Sequence, residues 1–421
     1  MTALTLLRAL LLMGPMHFFV KHRDGVVYLD LRAIVAHYQS QSNSVWHVHE
    51  VYVEEKEDHC VLVRCDGTKL STRTTDLSWA ELRVWFFLTY VMLQQLQGSN
   101  YHNFVHFYYN DLVLWSVRNF FAETHWCRQL LRTFMRFQTA VNNAGMYAQV
   151  STDFHSGKVE DEVYGVGTVL SWSEITFQKD VRDVSSAYYT RTARSPVSEQ
   201  AAALQFSLRH IYDDGETEPS TATRKLYVRV NEHIRAFVDE RVEHHYSHAQ
   251  DAELVSLLVR SVRPHIAKES YAPTDDELQL FKLILTRYIF NAAFAHGFEH
   301  YMMNVGYAPL YLPQRVRSVY VPGKQIDDYS NARDKRNGFV GHLMFTKYVR
   351  NSDRLGNWAS LHTELPEALL LQQQVLQELD IFRNSQYREL WEIYAASDIR
   401  MVDPDGYYDL LPDFIATSIA M

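Results

Sequence analysis

Apolar positions change their spacing once, decisively, along this chain. From Met16 to Leu70 the pattern is strand-like. Val26-Val27-Tyr28-Leu29-Asp30-Leu31, Val45 to Val53 and Cys60 to Arg64 are rich in β-branched and aromatic residues, and Asp66-Gly67 is a turn signal. Such runs between turn residues predict strands, so a small sheet is expected here. From Asp76 onward the period becomes helical. Asp76-Leu77-Ser78 offers an N-cap before Trp79-Ala80-Glu81-Leu82, periodicity continues through Leu96, and Gly98-Ser99-Asn100 interrupts it before a helix bearing His102. Further helices are expected over Leu112 to Met146 and over Leu226 to Arg263, the second ended by Pro264. Thr274-Asp275-Asp276-Glu277 opens another; acidic residues there suit the positive end of the helix dipole. Its apolar run lasts from Leu280 to Met303. A last clear helix is Leu365 to Arg383, where Pro366 falls in the tolerant first turn.

Between these stretches the chain turns polar or proline-rich. Ser151 to Glu218 reads as surface loops, Pro309, Pro313 and Pro322 mark an extended connection, and Asp327 to Arg336 is a polar loop. The fold expected is mainly α, with a small β-rich subdomain over residues 1–75 and a helical domain over 76–421. Ala3 to Met13 is apolar around Arg8, too short to span a membrane, and lacks the basic start and cleavage site of a signal peptide. It reads as a short packing helix, and no later segment reads as a membrane span.

Composition narrows the function classes. A net charge of −9 gives no general nucleic-acid footprint. Cys60, Cys65 and Cys127 are too few for a disulfide framework or a cysteine-type zinc site, which fits a reducing, cytoplasmic setting. Histidine is the informative residue: there are 20, and they cluster.

In Phe294-Ala295-His296-Gly297-Phe298-Glu299-His300 two histidines stand four apart, so a helix places both on one face. The neighbours Ile289, Phe290, Ala293 and Tyr301 turn that face inward. Buried imidazoles need partners, and a metal ion supplies one. His102 and His106 repeat the spacing, so two pairs on separate helices make a four-nitrogen site in a helical core. Asn304, four after His300, and Asp111 are the residues best placed to replace one of the four. The tail from Tyr407 to Met421 is apolar and carries no charged side chain after Asp413. If Met421 is buried, its α-carboxylate goes with it and needs a cation. Other histidines read differently. His244, His245 and His248 have polar flanks, including Ser247 and Asp251, and read as a solvated helix end; His47 and His49 alternate within a strand and read as structural.

Together these residues resemble the lipoxygenases, non-haem iron dioxygenases of polyunsaturated fatty acids. Ile289 to His296 followed by His300 resembles the family's second ligand helix, and Tyr311-Leu312-Pro313 the stretch after it. Tyr101 to Met146 resembles the first ligand helix and its sequel, with His125-Trp126-Cys127-Arg128 and Val141-Asn142; His125 matches a position that is not a ligand. Leu355-Gly356-Asn357-Trp358, with the helix ending Phe382-Arg383-Asn384, resembles the closing helix. Tyr408 to Pro412 and Thr417-Ser418-Ile419-Ala420-Met421 resemble the C-terminus, whose terminal carboxylate binds iron in the family.

The resemblance implies iron, or manganese, held by His102, His106, His296, His300 and the carboxylate of Met421, with no catalytic side chain beyond the metal and its water. It implies an apolar small-molecule substrate and O2: hydrogen abstraction from a polyunsaturated acyl chain, then oxygen addition to give a hydroperoxide. Departures are clear. The first pair is His102-x3-His106, where the family has four intervening residues and a π-type widening. Counting back from His125 instead puts His102 in the second-ligand slot and Gln97 in the first. The two-histidine choice is preferred because imidazole suits iron better than a neutral amide. The chain is also shorter than the family, without its membrane-associating β-sandwich. Two rivals therefore stand: an oxygenase of this fold acting on a smaller non-lipid metabolite, and a non-catalytic helical scaffold.

Overall fold

A computed structural model of the chain describes residues 20–23, 26–30, 32, 48–54, 59–64, 67, 69–73, 109–132, 134, 222–263, 275–295, 367–382 and 384. The first of these form a five-stranded antiparallel meander in chain order. Its strands are β1 (Val20–Arg23), β2 (Val26–Asp30), β3 (Val48–Glu54), β4 (His59–Arg64) and β5 (Lys69–Arg73). Tyr28 lies opposite Tyr52, which lies opposite Val61; Leu29 lies opposite Val51, which lies opposite Leu62. Successive strand residues point to opposite faces. Tyr28 and Leu29 are both buried, so both faces of β2 are covered. Gly67 takes φ +83° in the β4–β5 turn, a left-handed conformation that glycine adopts without steric cost. β3 starts at Val48 rather than Val45, and its register slips between Val48 and Glu50. A slip of one residue makes a β-bulge, so the strict alternation expected through His49 does not hold. His47 lies outside the described residues.

The helices are α1 (Asn110–Phe120), α2 (Trp126–Arg132), α3 (Ala222–His245), α4 (His248–Val262), α5 (Glu277–Phe290) and α6 (Glu367–Phe382). Helix α5 is central. Leu280, Phe281 and every residue from Ile284 to Phe290 are buried, and burial continues through Asn291–Ala295, which winds as a π-helix. A helix buried around most of its circumference belongs inside a domain. α1 runs antiparallel to it: Phe121 stacks on Phe281 at 6.5 Å, and the Tyr109 hydroxyl donates to the Ile284 carbonyl at 3.2 Å. α3 is antiparallel too. Tyr227 meets Phe290 edge-on at 5.7 Å, while Asp239 pairs with Lys282 at 2.9 Å. α4 touches α5 through Ser256 to Glu277 at 3.2 Å and α1 through Ser116 to Ser261 at 3.0 Å. α6 packs on α3, where His233 and Glu378 meet at 3.0 Å.

The N-terminus of α5 shows why this helix starts where it does. The Asp276 carboxylate accepts from the backbone N–H groups of Leu278 (2.9 Å) and Gln279 (3.2 Å). Those donors have no partner inside the helix. Asp276→Ala should cost about 1 kcal/mol of stability in chemical denaturation, and Asp276→Ser almost nothing, because a serine caps as well.

Two helices expected to be continuous are broken. The Leu112 to Met146 stretch starts at Asn110, ends at Phe120, turns through extended Phe121 (φ −105°, ψ 132°) and resumes at Trp126. The Leu226 to Arg263 stretch breaks at Tyr246-Ser247, where Ser247 is extended (φ −119°, ψ 117°). The run opening at Asp276 is an α-helix only to Phe290. The expected Leu365 to Arg383 helix is found as α6. Among the described residues no helix is long and apolar enough to cross a membrane.

Candidate metal centre

The first turn of α1 and the last turn of α5 meet in a dry polar knot. Asn110 and Asn291 are fully buried. The Asn291 amide donates to Asn110 Oδ1 at 3.1 Å, and Asn110 Nδ2 lies 3.4 Å from the Tyr288 carbonyl. The Tyr288 hydroxyl reaches the Phe134 carbonyl at 3.5 Å. Burial pushes the Tyr109 hydroxyl well above the usual phenol range, with the Arg287 charge opposing, so this group stays neutral. On the same elements Val113, Val117, Phe290, Ala292 and Phe294 are all shielded from solvent. Tyr227 closes over Phe294 edge-on at 5.4 Å.

Here the helical ladder changes. The Asn291 N–H is shared between the carbonyls of Arg287 and Tyr288, and the π-helix comes at once after it. A π turn shifts bonding from i−4 to i−5 and is common beside functional sites. The family resemblance placed such a widening in the first histidine segment, where Tyr109 is in π conformation directly ahead of α1; in the second, the π-helix directly precedes His296.

The structure brings together the segments that flank the predicted ligands. His106 lies four residues before Asn110, and His296 directly follows Ala295. His102, His106, His296, His300 and Met421 themselves lie outside the described residues, as do Gln97 and Asn304. Asp111 is in the first turn of α1. Among the described residues no three His, Cys, Asp or Glu side chains gather as a metal site.

A second polar cluster was not read from the sequence. Asp251 is only 3% exposed, although its flanks suggested a solvated helix end. Its Oδ2 accepts from Trp126 Nε1 at 3.0 Å and from the Ser247 backbone N–H at 2.9 Å; its Oδ1 meets His125 Nε2 at 3.1 Å. His125 Nδ1 accepts from the Cys127 backbone N–H at 3.2 Å, so the neutral ring carries its proton on Nε2 and donates it to Asp251. Burial alone raises the Asp251 carboxyl, but bonds from Ser247, Trp126 and His125 outweigh it and hold the group below its ordinary value. Burial, with the Asp251 charge nearby, pushes the Cys127 thiol far up, so this cysteine is a poor nucleophile. His125 thus ties the start of α2 to Asp251 in the first turn of α4. The signal was present only as a His-Trp pair and a lone Asp far apart in the chain. His244, His245 and His248 are exposed as expected, with the His245 ring stacked on Trp126 at 5.8 Å.

Neither a family model nor a curated protein sequence matches the chain. Solved structures do. An internal-deletion variant of a lipoxygenase, in an anaerobic complex with arachidonate, aligns with a TM-score of 0.61 at 14% identity over 100% of this chain and 67% of that one. The fold is lipoxygenase-like. Two further forms of that lipoxygenase variant, each with one more substitution, align at TM-scores of 0.60 and 0.58 with 13% identity, over 99% and 100% of this chain and 67% of each of theirs. The mainly α expectation thus stands, with lipoxygenase-like helices packed around α5.

Proposed function

We propose that this chain is a lipoxygenase-type non-haem iron dioxygenase of polyunsaturated fatty acyl chains. The observation that supports the reading best is the antiparallel pairing of α1 with α5. Phe121 stands beside Phe281 and Asn110 beside Asn291, so moving back along one helix moves forward along the other. Continued in sequence, His106 and His102 come four and eight residues before Asn110, while His296 and His300 come five and nine after Asn291. Two histidine pairs on one register are what a shared metal needs.

The donor chemistry fits: four imidazoles and the Met421 carboxylate suit iron, and manganese is the nearest substitute. Bound there, iron supplies the one-electron and O2 chemistry that no side chain of this set can supply. The protein's own part is to shape and dry the site. The buried Phe290, Ala292, Phe294 and Tyr227 pack on one another and exclude water from the segment that leads into His296. The neutral amides of Asn110 and Asn291 satisfy one another without adding charge. The same reading keeps a β-rich subdomain over residues 1–75, a catalytic unit over 76–421 and a cytoplasmic setting.

The test is direct. Iron-loaded protein given linoleate and O2 should develop the ultraviolet absorbance of a conjugated diene. Full iron loading without that absorbance moves the substrate to a smaller metabolite. Purified protein that takes up no stoichiometric metal leaves only the scaffold reading.

A further inference from the structure

Helix α6 has two unlike faces. Ala368, Leu371, Val375, Leu379 and Phe382 are buried, and the helix packs on α3. The opposite face is not the charged one that a solvated helix usually shows. Leu370 is 57% exposed and Ile381 55%, the two most exposed large apolar residues among the described ones. Between them Gln374 is half-buried and Gln377 exposed. At about 100° per residue these four fall within about 60° of arc. No charge stands among them: Glu378 lies to one side, bonded to His233, and Asp380 to the other. The outward face of α3 is the contrast, with Lys225, Arg229, Glu232, Glu240 and Glu243 exposed along it. Depletion of charge around apolar residues is the compositional mark of an interface core.

Leu370, Gln374, Gln377 and Ile381 are four, three and four apart, the a/d repeat of a coiled-coil seam. Read in either direction, the order is apolar, amide, amide, apolar. A surface that matches itself under a two-fold rotation is what a symmetric dimer needs. An antiparallel pair centred between Val375 and Leu376 sets Leu370 against Ile381 of the second copy, and Gln374 against its Gln377. An amide carries both donor and acceptor, so two of them satisfy each other. A polar layer between apolar ones also fixes the register. Antiparallel order opposes the two helix dipoles favourably. The two Asp380 carboxylates then stand about 14 Å apart along the axis, beyond the screening length of about 8 Å.

We propose that the outward face of α6 docks antiparallel on α6 of a second copy of this chain, forming a two-fold dimer. This is independent of the iron-site reading. A helix from Glu367 to Phe382 is about 24 Å long, and one such pair buries less than the roughly 1,200 Å2 of a stable complex. The dimer is therefore weak and reversible, with Kd in the micromolar range.

Sedimentation velocity of the full chain over a concentration series is the test. Wild type should pass from monomer to dimer as concentration rises. Leu370→Lys and Ile381→Glu should each raise Kd about tenfold or more, since each puts a lone charge into a closing apolar layer. The double variant L370K/I381E should recover most of that loss, because antiparallel pairing sets each new lysine against the new glutamate of the other copy. Parallel pairing would set lysine against lysine and lose the dimer. Equimolar L370K and I381E proteins should pair with each other more tightly than either does with itself, which keeps the test open if the double variant does not fold. Thermal midpoints of the single variants should stay near wild type, both positions being more than half exposed. A wild type that remains monomeric, a dimer indifferent to both single variants, or opposite charges that restore nothing in folded protein each overturns the proposal.

Discussion

Asp251→Ala should be strongly destabilising, costing about 3–5 kcal/mol, because it leaves three buried donors without an acceptor at about 1–3 kcal/mol each. Three donors lose their acceptor at once: the His125 ring, the Trp126 indole and the Ser247 backbone N–H. Each was bonded in a place water reaches poorly, so each is left with its desolvation cost uncompensated. The damage should spread to both helix breaks, since the same carboxylate stands at the start of α4 and before α2. Asp251→Asn keeps one acceptor but turns an NH2 toward donors, and should fall between. Thermal and chemical denaturation read both. A loss under about 1 kcal/mol for the alanine variant, on the same measurement, sinks this account.

The cluster also makes a pH prediction with a definite sign. In the folded protein the Asp251 carboxyl lies below its ordinary value of 3.8. A depressed carboxyl contributes stability that is fully present above the unfolded-state value and is lost as pH falls through the folded-state value. Wild type should therefore keep this contribution at neutral and mildly acid pH and lose it only below about pH 4. The Asp251→Asn variant should show a smaller loss over that acid range. Equal acid limbs for the two proteins would assign the acid loss to other carboxyls.

The second large effect is on metal. His296→Ala and His300→Ala should each lower iron affinity beyond the roughly tenfold to hundredfold typical of an outer-shell change, and abolish diene formation. Thermal stability of the metal-free protein should change little. His244→Ala and His248→Ala, on the exposed end of α3 and the start of α4, should keep full iron content. Gln97→Ala and Asn304→Ala decide the register of the ligand set. If both keep wild-type iron affinity, the four-histidine set stands. If they lose iron while His106→Ala and His296→Ala do not, the ligands are Gln97, His102, His300 and Asn304.

Some of the site was legible because its causes are local. The start of α5 could be read from the acidic stretch Thr274 to Glu277 ahead of an apolar run, because both the dipole effect and the Asp276 cap act within one turn. Helix α6 matched within two residues at each end, because its apolar residues Leu371, Val375, Leu379 and Phe382 recur at helical spacing. Ile289, Phe290 and Ala293 are buried as read, while Tyr301 and the two histidines whose direction they were taken to mark lie outside the described residues.

Other features had no local cause. The breaks at Phe121 and Ser247 share one acceptor, and His125 is 126 residues from Asp251. Polar residues do mark both places, Glu123-Thr124-His125 after the first and Glu243-His244-His245 with Ser247-His248 around the second, but they do not show which distant acceptor holds the turn. The π-helix Asn291–Ala295 is built from residues that also suit an α-helix, and its partner Asn110 is 181 residues earlier.

The amino-acid order alone settled the change from strands to helices, the acidic start of α5, and the long apolar run from Leu280 that puts most of that helix in the core. These come from preferences acting within a few residues. Tertiary structure alone decided which acceptor holds each helix break, where the ladder widens and which helix faces which. Those depend on finding a partner for each buried donor and acceptor, and a partner brought near by folding leaves no mark on the spacing around it.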